Sequence, residues 1–151
     1  MIRGLAAIPK KWSQDDGTAH FLAATNINDY PFLLLSCDLG SNLNCQAKRT
    51  CFVNHNPKLR DIRSVAVNPK SQEVLQLDLE ARAIHIYRYH SCYSINYLRT
   101  MAIPERIKLP SAVAVDQSNH LFVATEELDD YHSANLYFWQ EDQWRQQLSQ
   151  K

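Results

Sequence analysis

Glycine is scarce in this chain, three residues in 151. Neither a Walker loop nor a Rossmann glycine pattern is present, and there is no Gly-x-Ser-x-Gly elbow, which removes the familiar NTPase, dinucleotide and hydrolase routes. Net charge is absent as well: sixteen Lys and Arg balance sixteen Asp and Glu, so no overall field recommends nucleic acid or an anionic membrane as a partner. No apolar run outlasts Phe32 to Leu35, whereas a membrane-spanning helix needs about 20 such residues. The stretch before Pro9, Lys10 and Lys11 is too short for the apolar core of a signal peptide, and a cytoplasmic location is expected. Four cysteines, Cys37, Cys45, Cys51 and Cys92, include no C-x-x-C pair, so neither a disulfide scaffold nor a zinc ribbon is indicated. Reduced thiols are expected, with Cys37 facing Cys51 across neighbouring strands as small apolar fillers.

What is present is a globular composition, 45% hydrophobic, 21% charged and 10% aromatic, at the length of one domain over residues 1–151. Three segments line up: Ile2 to Ile8, Ile62 to Asn68 and Leu109 to Asp116. Each is a short strand-like stretch, and the second and third are followed by a polar turn and a second apolar stretch, Val74 to Leu79 and Leu121 to Thr125. With Gly, Pro, Asn, Asp and Ser as punctuation, the chain divides into about twelve strand-length stretches. Twelve is three fours, and a repeated four-strand antiparallel unit is the unit of a β-propeller. The repeats fall at about 2–53, 62–102 and 109–148. A terminal helix over Gln140 to Lys151 is a rival reading, because Trp144 and Leu148 stand four apart. A closed three-sheet prism or a β-sandwich would also use twelve strands.

The stretch Pro110-Ser-Ala-Val-Ala-Val-Asp116-Gln-Ser-Asn-His-Leu-Phe-Val-Ala-Thr125 resembles the core of an NHL-type propeller repeat. Ser111 and Asn119 stand where that family has glycines, and Thr125 where it has aspartate, so the repeat is a degenerate one. The resemblance implies an all-β fold of three propeller-like blades, and implies no activity. Small residues, Ala6, Ala7, Ala66, Ala112 and Ala114, suit the crowded inner strands, while Tyr97, Tyr137, Phe138 and Trp139 fall in outer ones.

Propellers run from four to eight blades, so three cannot close a ring. Two copies joined head to tail around a two-fold axis would complete six, and a homodimer is the expected assembly. The loops around its axis are the expected binding face. They carry Asn26, Asp29 and Tyr30 from the first repeat, Arg106 from an inter-repeat loop, and Tyr131 and His132 from the third. Arg3 and Arg63 share one position at the mouth of the inner strand, with Pro110 in the third repeat, and would suit a small anionic ligand. The acidic run Glu126-Glu127-Leu128-Asp129-Asp130 offers oxygen ligands for a divalent cation, Glu126, Asp129 and Asp130 above all. Such a site would make the protein a metal-dependent lactone or ester hydrolase of the sugar-lactonase-like type. The run lacks calcium-loop spacing, and no activated nucleophile or acid-base pair stands out. The expected function is therefore non-catalytic binding, of a protein or a small anion, without cofactor, nucleic acid or membrane. His85, between Ile84 and Ile86 in a strand, is expected to face away from both as a packing residue.

Overall fold

A computed structural model describes residues 2–12, 18–38, 44–128 and 134–147. The chain is all-β. The first sheet takes β1 (Ile2–Ala7), β2 (Thr18–Thr25), β3 (Phe32–Asp38) and β4 (Asn44–Cys51) in that order, each antiparallel to the last. A short β5 (Val53–Asn54) leads into the second sheet, β6 (Ile62–Asn68), β7 (Glu73–Asp78), β8 (Ala83–Ser91) and β9 (Ser94–Ala102). The third sheet takes β10 (Pro110–Val115), β11 (Leu121–Leu128), β12 (Ala134–Gln140) and β13 (Gln143–Gln146). The strands follow the expected stretches, with one addition: β5 pairs in parallel with β9, making the second sheet five-stranded. The expected last strand is present and the rival helix after Gln140 is overturned over the described residues, because the Glu141-Asp142 turn, with φ 52° and 61°, folds β13 back on β12 and pairs Trp139 with Trp144. Two successive positive φ angles match the twist of a tight hairpin.

The three sheets share one construction. In each, the first hairpin carries a bulge at its entry: between Ile2 and Gly4, between Ile62 and Ser64, and between Pro110 and Ala112. Register therefore makes Ile2, Ile62 and Pro110 equivalent, opposite Thr25, Asp78 and Thr125. The bulge residues are Arg3, Arg63 and Ser111, which corrects the assignment of Pro110 to the arginine position. Thr25, Asp78 and Thr125 are all buried and polar: Thr25 donates to the loop that follows its strand, Asp78 accepts from the loop that precedes β6, and Thr125 donates to the Asn135 carbonyl in β12.

The core has two layers. One lies between the first and second sheets and includes Leu22, Ala24, Phe32, Ile62, Val65, Val74, Tyr87 and Ile95. The other lies between the second and third and includes Ala66, Leu75, Leu77, Ile84, Ile86, Val113, Val123 and Trp144. Period-two alternation sends Val65 and Val74 to one side and Ala66 and Leu75 to the other, so the middle sheet is buried on both faces. Packing in series of this kind is neither a two-sheet sandwich nor a closed prism. Gly4 permits the close approach of β1 to β6: a Cβ there would stand 3.0 Å from the Val65 nitrogen. At the equivalent position of the next sheet, Ser64 Oγ accepts the Val113 N–H at 3.1 Å.

The expectation of reduced thiols is overturned. Cys37 is bonded to Cys45 and Cys51 to Cys92, which accounts for all four cysteines. The register of β3 on β4 sets Cys37 opposite Cys45 and Phe32 opposite Cys51, so the expected Cys37 and Cys51 pair never meets. Cys51 instead reaches the turn between β8 and β9 and staples the first sheet to the second.

Candidate functional site

The loops beyond the second and before the inner strands are built largely to hold the sheets together. Asn26 Oδ1 accepts the Ile62 N–H at 2.7 Å, and Asn28 Oδ1 accepts the Leu59 N–H at 2.6 Å. Asn56 donates to the Asn28 carbonyl at 2.7 Å, so the first sheet clamps the segment that leads into the second. The Tyr30 carbonyl accepts the Thr25 hydroxyl at 2.7 Å, while the Tyr30 ring is exposed. Arg106 donates to the Trp144 carbonyl and Arg82 to those of Pro104 and Ile107, at 2.8 and 2.7 Å, tying the linker to its neighbours. Asn26 and Arg106, expected to meet a ligand, are thus occupied in structure.

Besides Tyr30, the expected residues Asp29, Arg3, Arg63 and Glu126 are exposed. Asp29 is exposed and lines a cleft of about 390 Å³ with Phe52, His55 and Lys58, beside Tyr30 in sequence. Arg63 is paired with Asp61 at 3.0 Å, and the Arg3 side chain is exposed with no partner among the described residues. Glu126 is exposed and its N–H donates to the Leu109 carbonyl at 2.9 Å. Asp129, Asp130, Tyr131 and His132 lie outside the described residues. Among the described residues no group of three His, Cys, Asp or Glu side chains is placed to hold a metal ion.

A buried polar network went unread in the sequence. Asp78 is fully buried and accepts the N–H groups of Arg60 and Asp61 at 3.0 Å and of Ala81 at 3.1 Å. Its second partner class is His85, whose Nε2 lies 3.2 Å from Asp78 Oδ2 and whose Nδ1 lies 3.0 Å from the Thr100 hydroxyl. Burial pushes the Asp78 carboxyl up, but the bonds from His85 and from the three backbone N–H groups outweigh it and hold the group at about 2. As expected, His85 faces away from Ile84 and Ile86, which pack in the other layer. Nearby, the Tyr87 hydroxyl lies 2.8 Å from Asn56 Oδ1 and 2.9 Å from Gln76 Oε1, with one proton for two carbonyls, while Gln76 Nε2 is buried without a partner. With the Gln76 amide turned over, its nitrogen donates to Tyr87, which donates to Asn56, and the Gln76 oxygen takes the partnerless position. Burial raises the Tyr87 phenol far above its ordinary range, so it stays a neutral donor. The hydroxyl, imidazole and carboxylate of Thr100, His85 and Asp78 form a line, but Thr100 is also held by Tyr97 and lines none of the clefts formed by described residues. The network holds the face of the second sheet that meets the first. One sequence signal pointed to it: Gln76 and Asp78 flank Leu77 in the apolar part of β7, and His85 stands between Ile84 and Ile86.

No protein-family model matches the chain, and no curated protein is similar to it. Among solved structures, the hydrazine synthase of Kuenenia stuttgartiensis is similar over 91% of this chain at 11% identity and a TM-score of 0.45, and the chain spans 32% of that protein's length.

Proposed function

We propose that this chain is half of a six-bladed β-propeller of degenerate NHL-type repeats, completed by a second copy, and that the ring is a binding module without catalytic chemistry of its own. A single comparison carries the reading. Ile62 and Val65 are 0% and 7% exposed, whereas the equivalent Ile2 and Leu5 of the first sheet are 51% and 55% exposed. At the other end, Ile84 and Phe32 are fully buried, whereas the equivalent Leu136 is 37% exposed. The open face of the first sheet, Ile2, Leu5, Phe21 and Leu33, is the kind of face each interior interface receives, and that of the third, Ala114, Phe122, Leu136 and Phe138, is the kind each presents. One chain thus ends in both halves of the same interface, and a two-fold rotation joins them. Ala112 would then meet Leu5 of the second copy as Ser64 meets Val113 within the chain.

Four paired cysteines support residence in an oxidising compartment instead of the cytoplasm expected from the N-terminus. The test of the ring is absolute mass by light scattering over a wide concentration range. A persistent species near twice 17.5 kDa, reduced to one copy by Leu5→Asp or Leu136→Asp, is the expected result. A well-folded monomer at every concentration would overturn the ring.

A further inference from the structure

The end of the molecule opposite the expected binding face carries a second cleft, of about 410 Å³, where the first turns of all three sheets converge. Its apolar lining is Val67, Val115 and Pro69, at the outgoing ends of β6 and β10. Its charged walls are Lys11, from the 3-10 turn Lys10–Trp12, together with Lys70 and Asp116. Asp116 is spent on its own turn. Oδ1 accepts the N–H groups of Ser118 at 2.9 Å and His120 at 2.8 Å, and Oδ2 meets the His120 ring at 2.9 Å. Desolvation pushes the carboxyl up, but the bonds from His120 and Ser118 and the charge of the His120 ring together outweigh it and hold the carboxyl below its ordinary range. Asn68 Oδ1 likewise caps its own turn, accepting from Lys70 and Ser71. Both lysines are exposed, and neither ammonium has an ion-pair or hydrogen-bond partner among the described residues. The two uncommitted charges of the cleft are therefore both positive and stand over an apolar lining.

We infer that this cleft binds a small amphiphilic anion, a carboxylate or phosphate held between Lys11 and Lys70 with an apolar body against Val67, Val115 and Pro69. The site is complete within one chain, so it stands or falls separately from the ring.

The test is calorimetric titration of the full chain with octyl phosphate and with octanoate, each below its micelle-forming concentration, beside inorganic phosphate and octanol. One site per chain is expected for at least one amphiphile, and the tighter of the two identifies the head group. Lys11→Gln and Lys70→Gln should each weaken it roughly tenfold, the loss expected for one charge-assisted contact, while Arg88→Gln on exposed β8 surface leaves it unchanged. The inference is overturned if neither amphiphile binds, if both lysine variants bind as the parent does, or if inorganic phosphate binds as tightly as octyl phosphate.

Discussion

The first and second sheets share the order of their four antiparallel strands, the same entry bulge and equivalent registers in the first hairpin, yet they are held in different ways. The second is covered on both faces and carries a buried carboxylate, imidazole and amide on the face toward the first sheet. The first has one covered face, and β4 exposes every residue from Asn44 to Thr50, where Lys48 and Arg49 mark a charged edge. Two disulfides secure it: Cys37–Cys45 inside the sheet and Cys51–Cys92 across to the second. The difference teaches that equivalent hairpins acquire stability from their neighbours. The middle unit relies on burial and hydrogen bonding, and the end unit adds covalent links.

The sharpest way to break this contrast is at the equivalent pair Asp78 and Thr25. Asp78→Ala leaves three half-buried backbone N–H groups and the buried His85 ring without their acceptor, and should cost about 3–5 kcal/mol in denaturant unfolding. Thr25→Ala removes a hydroxyl that bonds only its local turn, and should cost about 1 kcal/mol. Asp78 also sets an acid limb. Its folded value of about 2 lies below its ordinary 3.8, so its contribution, about 2 kcal/mol, is present above pH ~4 and lost as pH falls through ~2. Melting curves from pH 5 to 2 should show this loss, and Asp78→Asn should flatten it.

Next in size is the staple. Opening Cys51–Cys92, with partners 41 residues apart, should cost up to about 4 kcal/mol on the chain-entropy scale, against about 2.5 kcal/mol for Cys37–Cys45 at a separation of 8. Paired serine variants compared by thermal unfolding measure both. The pairing itself is checked by titrating thiols in denaturant without reductant, where none should react. A smaller effect separates Ile62 from Ile2. Ile62→Ala should destabilise by about 3 kcal/mol at every concentration. Ile2→Ala should be near neutral in an isolated chain and costly, in a concentration-dependent way, if a second copy covers it.

Much of the strand order was legible because alternation and turn residues act locally. Val74 to Leu79 and Leu121 to Thr125 read as second strands from their neighbours alone. The candidate site was less legible. Arg3 and Asp29 are exposed, whereas Asn26 and Arg106 look the same in sequence and serve as clamps. A free amide or guanidinium differs from a committed one only by what the fold brings to it. The cleft between Lys11, Lys70 and Asp116 joins turns of three sheets, and nothing in sequence joins positions so far apart.

By itself, then, the sequence determined the local code: the periods, the turns, the threefold repetition and the apolar residues available for both faces. The tertiary structure decided which of those faces were covered, which cysteines met, and where Asp78 found its donors. Period and turn depend on residues a few positions apart. Register, bulge and sheet order depend on contacts across the whole chain, and moving β3 on β4 by a single residue would change every cross-strand partner it has.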